Sequence, residues 1–325
     1  MNTEAHNDDL APGRFPLIVF VHVPKTGGST VINVLDRLSP RGHGNAQVLD
    51  NVDIIKTALN ADWISGHIPR FHFSAKLAWL PLHHMEGEEA ITICRPVEYF
   101  SMVREPLSQL ISHLNYSFER IANPPEYYGF NQRERMLDLE IISTDFSDPI
   151  AIKKILLKHY EQYCVCQSYY ILGDDFAHLS DEGVRDRLLS YTYIGTTIDL
   201  PILYGQFGFA NIHEDFSSVV ENRSRPWFKK EIFLSEELRG FIDKILYHEI
   251  RLYKFVTELS ASYRSRKPSR PAFPIVNPEN FNEASYCLTH RDVLQGISEG
   301  VLSSGRDHFE RFGVAEKRRI AIFPG

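Results

Sequence analysis

Residues 17–30 run from an unbroken apolar stretch, Leu17 to Val21, through His22, Val23 and Pro24 into a loop containing Lys25, Thr26, Gly27, Gly28, Ser29 and Thr30. An apolar run this short, without polar alternation, reads as a strand buried on both faces, and such a strand belongs in a parallel sheet covered by helices on each side. Val31, Val34, Leu35 and Leu38 then recur at helical spacing. The order strand, tight loop, helix leaves the backbone N–H groups around Gly27 to Thr30 without an intrahelical acceptor and places the positive end of a helix dipole beside them. Such a junction favours an anion. Lys25 adds a full charge to it.

A nucleoside-triphosphate loop carries its lysine after the glycines, as Gly-x-x-x-x-Gly-Lys-Ser/Thr. Here Lys25 precedes Gly27 and Gly28. A second strand-turn-helix unit follows at Val97 to Val103, ending in Arg104-Glu105-Pro106, after which Leu107, Leu110, Ile111, Leu114, Phe118 and Ile121 keep helical period. Pro106 suits the first helical turn, where a missing N–H costs nothing, and Glu105 suits the positive end of the dipole. Arg104 falls at the carboxyl end of the strand. On a helical wheel Ser112 lies ~140° from the centre of the apolar stripe, free to face a ligand.

Together, Pro24-Lys25-Thr26-Gly27-Gly28-Ser29-Thr30 and Val103-Arg104-Glu105-Pro106 with Ser112 resemble the two signature motifs of the sulfotransferases that use 3′-phosphoadenosine 5′-phosphosulfate (PAPS). The closer likeness is to the carbohydrate branch, which includes the heparan sulfate 2-O- and 6-O-sulfotransferases and bacterial relatives. It is carried by His22 to Thr30 and by Ile64-Ser65-Gly66-His67, and spans about Leu17 to Phe255. The resemblance implies that Lys25 contacts the 5′-phosphate and the bridging oxygen, that Thr26, Gly27, Gly28, Ser29 and Thr30 donate to the same phosphate, and that Arg104 and Ser112 hold the 3′-phosphate. It also implies that His67 is the base that takes the acceptor's hydroxyl proton, with adenosine 3′,5′-bisphosphate as product. Some sulfotransferases use a glutamate base, but no glutamate here occupies an analogous motif. Asn222-Arg223-Ser224-Arg225-Pro226 resembles the basic loop that closes over the adenine and 3′-phosphate, with Arg223 or Arg225 adding a cation; it reads equally as a polar loop with solvated arginines.

The chemistry agrees with those roles. Sulfuryl transfer builds negative charge on the departing phosphate, which lysine and oriented amides stabilise, and needs no metal in principle. A histidine near neutral pKa can accept the proton of an attacking hydroxyl. His22 reads as a packed histidine near the loop, while His72, His83 and His84 have no interpretable partner in the sequence.

Strands near 17 to 23, 61 to 65, 97 to 103 and 192 to 196, separated by helical stretches, predict an α/β chain: a P-loop-like three-layer fold with a central, mainly parallel sheet flanked by helices. Helices are expected over about 131 to 143, 149 to 162 and 180 to 190, with shorter ones near 199 to 220 and one amphipathic helix from Leu234 to Glu258 capped near Ser235. The chain divides into a flexible leader (1–14), a sulfotransferase domain (15–260), a basic linker (261–271) and a C-terminal appendage (272–325). The appendage carries weak helical patterns near 289 to 302 and 305 to 317; it could cover the cleft or contribute to a homo-oligomer.

The polar, acidic first residues resemble neither a signal peptide nor a membrane anchor, and no run approaches 18 apolar residues. Cys94, Cys164, Cys166 and Cys287 form neither a disulfide framework nor a zinc spacing. The expectation is a cytoplasmic, soluble enzyme. A net charge of −7 argues against nucleic acid or a highly anionic polymer as partner. The expected acceptor is a hydroxyl on a carbohydrate or glycolipid. Two other classes compete: a P-loop-type kinase or NTPase, which would need Mg2+ and a carboxylate to hold it, and a non-catalytic nucleotide-binding protein, in which His67 would be dispensable.

Overall fold

The computed structural model describes residues 16–39, 41–78, 97–124, 132–207, 227–263, 275–283, 286–287, 290–316 and 318. Its centre is a sheet of five parallel strands: β1 (Leu17–Val21), β2 (Gly42–His43), β3 (Trp63–Gly66), β4 (Val97–Val103) and β5 (Tyr193–Thr196), in the order β2-β3-β1-β4-β5. The α/β, helix-flanked architecture is the one the sequence predicts. β1 lies in the middle with every residue buried, because alternate side chains feed two different cores. Leu17, Val19 and Val21 pack on one face with Ile64, Phe73, Ile171, Val184 and Leu252. Ile18 and Phe20 pack on the other with Val31, Leu35, Trp63, Phe100 and Tyr193.

Helices supply both outer layers: α1 (Gly28–Leu38), α2 (Asn51–Asn60), α3 (Arg70–Ala78), α4 (Pro106–Ala122), α5 (Gln132–Ile142), α6 (Pro149–Lys158), α7 (Tyr160–Tyr163), α8 (Cys166–Leu172), α9 (Asp181–Leu189), α10 (Leu200–Gln206), α11 (Lys230–Phe233), α12 (Glu236–Ile245) and α13 (Tyr247–Tyr263). A third apolar cluster joins α4, α5, α6, α11 and α12 through Leu110, Leu114, Ile141, Ile152, Phe233 and Ile242.

The stretch expected as one helix from Leu234 is two. The chain turns at Leu246, so that Leu238, Ile242 and Ile245 of α12 enter the third cluster while Leu252, Phe255 and Val256 of α13 enter the core beneath the sheet. A single straight helix could not reach both, although the apolar period runs through the break. Ser235 stands at the start of α12 but makes no side-chain cap there. The stretch expected over 149 to 162 likewise divides at His159 into α6 and α7.

α13 continues to Tyr263, within the range read from sequence as linker, and Tyr263 is buried with its ring 4.9 Å from that of Tyr193. Beyond it, α14 (Arg291–Ser298), α15 (Gly305–His308) and the wider turn of residues 309–313 surround a small core of Val276, Tyr286, Cys287, Val293 and Phe309. Residues 1–15 and 264–274 lie outside the described residues. Among the described residues, no helix is long and apolar enough to cross a membrane.

Candidate functional site

The sheet order fixes where the site can lie. From β1 the chain first builds β2 and β3 on one side and then crosses to place β4 on the other, so the connections leaving the central strands diverge. In open α/β sheets such a switch point at the strand carboxyl ends opens a crevice. Three neighbouring strand ends meet there: β3 delivers His67, β1 delivers the loop from His22 to Gly27, and β4 delivers Arg104. A cleft of about 2240 Å³ runs along them, lined by Lys25, Gly27, Gly28, Ser29, Thr30, His67, Arg104 and Ser112 together with side chains of α4 and α8.

The first loop is held from behind. Thr26 donates its hydroxyl to the Val23 carbonyl (2.9 Å), Gln109 donates its amide to the Pro24 carbonyl (3.2 Å), and Arg104 Nη1 donates to the Lys25 carbonyl (3.3 Å). Three successive carbonyls thereby each accept a hydrogen bond from within the protein. Lys25 and Gly27 adopt positive φ, 66° and 83°. For a lysine this backbone costs about 1 kcal/mol or more, and it persists where its surroundings over-determine it. Gly27 then precedes α1 without a side-chain cap, and its carbonyl accepts from the Thr30 (3.1 Å) and Val31 (3.3 Å) N–H groups, which leaves those of Gly28 and Ser29 for a partner outside the helix. Thr26 itself has no exposure, so its hydroxyl serves the loop and not the cleft.

Gly28 is required for space. A Cβ there would fall 1.8 Å from the imidazole of His22, which lies directly beneath it. His22 is buried, and burial together with the neighbouring His67 and Lys25 pushes its pKa down to about 3. It is a neutral spacer between loop and sheet.

His67 is oriented by the same residue. Its Nδ1 lies 2.8 Å from the His22 carbonyl, and the two rings pack tilted by 32° with centroids 4.1 Å apart. A carbonyl can only accept, so neutral His67 carries its proton on Nδ1 and presents a basic Nε2. Its backbone N–H is held by Gln47 Oε1 at 3.0 Å. His67 is exposed to the cleft, yet the protein packed around its ring takes enough water from it to lower its pKa; the bond to the His22 carbonyl opposes that shift, and the Lys25 charge adds to it.

Lys25 rests with Nζ 4.2 Å from the centre of the Tyr116 ring. Burial, then Arg104 and Arg120, lower its pKa to about 8, with Glu119 acting the other way. Arg120 is itself neutralised: Nη2 meets Asp138 at 2.6 Å and Nη1 meets Glu134 at 3.0 Å. Burial also lowers the Arg104 pKa, against the pull of Glu105.

Glu105 caps α4, accepting from the backbone N–H groups of Leu107 (3.2 Å) and Ser108 (2.9 Å), with Pro106 in the first turn. Along α4 the cleft is lined by a polar stripe of Ser108, Ser112, Asn115, Tyr116, Glu119 and Arg120, flanked by Ile111 and His113. That stripe has helical period opposite the apolar one, and the same wheel that singled out Ser112 could have found it. Arg223 and Arg225 lie outside the described residues, as do His83 and His84. His72 stands 3.9 Å from Asp174 at the surface.

No protein-family model and no curated protein matches this chain. The site offers a cation and helix-end amides on one strand end, a guanidinium and a serine on the next, and an oriented, neutral imidazole on the third.

Proposed function

We propose that the protein is a PAPS-dependent sulfotransferase acting on a hydroxyl acceptor, of the carbohydrate or glycolipid class. The observation that carries this reading is the meeting of Lys25, Arg104 and His67 at three adjacent strand ends, with His67 Nδ1 committed to the His22 carbonyl.

The residues fit the cofactor's two charged ends. The cradle of Lys25 and Gly27 to Thr30 suits the 5′-phosphosulfate, and Arg104 with Ser112 suits the 3′-phosphate, since a guanidinium matches phosphate geometry. PAPS supplies the sulfuryl group, transferred in line from phosphate oxygen to acceptor oxygen. His67 takes the acceptor's proton at Nε2 as the new S–O bond forms. Lys25 and the α1 amides hold the negative charge released onto the phosphate as the old S–O bond breaks, which is where preorganised donors lower a barrier most. Arg104 tethers the product, adenosine 3′,5′-bisphosphate, until it leaves.

The test is calorimetric titration with adenosine 3′,5′-bisphosphate against ATP plus Mg2+, in the wild type and in Arg104→Ala. The expected result is preference for the bisphosphate, lost in the variant. Preference for Mg-ATP would return the chain to the kinase or NTPase class.

A further inference from the structure

Arg104 is the first residue beyond the β4–β5 ladder, which ends with Val103 opposite Thr196. Its backbone N–H and C=O therefore lack a strand neighbour, and buried peptide groups are almost always paired. Gln167, fully buried at the start of α8, meets both: the Arg104 N–H donates to Gln167 Oε1 at 2.7 Å, and Gln167 Nε2 donates to the Arg104 carbonyl at 3.1 Å. One side-chain amide thus imitates the edge of a sixth strand. Its own position is set from behind by Glu249 of α13, 1% exposed, whose carboxylate accepts from the Gln167 N–H at 3.3 Å and the Ser168 N–H at 2.8 Å.

We infer that Gln167, anchored by Glu249, is a positioning residue that aims Arg104 at the phosphate it binds, so that selection for a ligand with a second phosphate depends on a side chain that never touches that ligand. This rests on the proposed assignment of Arg104 to the 3′-phosphate. Two consequences separate positioning from general stability. The Arg104 guanidinium also bonds the Lys25 carbonyl, so a displaced strand end loosens the link between the two anion motifs. The 5′-phosphate cradle is still held by Thr26 and Gln109, so it survives loss of the clamp.

The experiment compares adenosine 3′,5′-bisphosphate with adenosine 5′-monophosphate, which lacks the 3′-phosphate, in the wild type, Arg104→Ala, Gln167→Met, Glu249→Gln and Glu249→Ala. Met fills the volume of Gln without hydrogen bonds, and circular dichroism with thermal melts confirms that each variant is folded. The expected result is a loss of about tenfold in bisphosphate affinity in Gln167→Met, the size set by losing one or two bonds that fix a ligand group, with monophosphate affinity little changed. Glu249→Gln, which keeps an acceptor, should retain most of the discrimination that Glu249→Ala loses. Amide exchange at Arg104 should quicken in Gln167→Met even without ligand.

Wild-type discrimination in Gln167→Met, alongside its loss in Arg104→Ala, would overturn the positioning role and leave the phosphate site standing. No bisphosphate preference in the wild type itself would overturn both. An unfolded Gln167→Met leaves the decision to the Glu249 pair, where equal discrimination in Gln and Ala variants overturns the relay.

Discussion

The imidazole of His67 stands on the backbone of His22, Nδ1 to carbonyl at 2.8 Å, so the residue that follows the central strand fixes both the tautomer and the direction of its neighbour's ring. Because His22 lies under Gly28 as well, the glycine loop and the candidate base share one support.

If Nε2 is the proton acceptor, the rate should depend on neutral His67. Its pKa is lowered, chiefly by desolvation, so the neutral form is held at pH 7 and lost only as pH falls through a value below that of a free histidine. The acid limb of kcat/KM should lie below about 6.5. His67→Ala should lose roughly 10²- to 10⁴-fold in rate with bisphosphate affinity nearly intact. Full activity across a pH series would exclude His67 as base.

Lys25, with its pKa brought down to about 8, should lose its proton in mildly alkaline solution. Bisphosphate affinity should therefore fall as pH rises past about 8, and this limb should vanish in Lys25→Met. The same weakening in the variant, measured by calorimetry at several pH values, would assign the limb to another group.

Gly28→Ala brings a Cβ to 1.8 Å from the His22 ring, so the imidazole must move. A destabilisation of about 1–3 kcal/mol is expected for overpacking of this kind. Combined with His22→Ala, which empties the space beneath, the losses should be less than additive in denaturant melts. Strict additivity would mean that loop and ring are not in contact in solution.

Glu249 has its pKa raised by burial to about 7, against the bonds from Ser168 and Gln167 that favour the charged form. A carboxyl with a raised folded pKa contributes stability that is complete below its unfolded pKa, near 4.3, and is lost as pH rises through the folded value. The wild type should lose stability relative to Glu249→Gln between about pH 4.3 and 7. Cys164, Cys166 and Tyr160 also face this carboxylate; their pKa values are pushed up, so they stay neutral in that window. Parallel pH–stability curves for the two proteins would contradict the assignment.

Both strand-turn-helix units were legible because each is local: an apolar run, a turn and a helical stripe lie within about twenty residues, and backbone geometry there follows from residue type. The same locality made β1, β3, β4 and β5 readable, and helices such as Asp181–Leu189, which starts at a capping Ser180. The two-residue β2 carries no periodicity to detect. The break at Leu246 was hidden because the apolar period passes through it unchanged.

Other features were beyond local reading. Gln167 meets Arg104 across 63 positions and Glu249 meets Ser168 across 81, and neither carries a motif. Arg120 looks like a solvated helical arginine until Asp138, with no exposure, is brought against it.

By itself, then, the sequence determined four of the five strands, all but β2, and where each chemical group sits relative to its own strand end. Those are consequences of hydrophobic period and local backbone preference. Only the tertiary structure decided that β1 lies between β3 and β4. That order brings Lys25, His67 and Arg104 into one cleft and supplies the buried partners that aim them, because strand order and polar pairing are settled by packing between segments far apart in the chain.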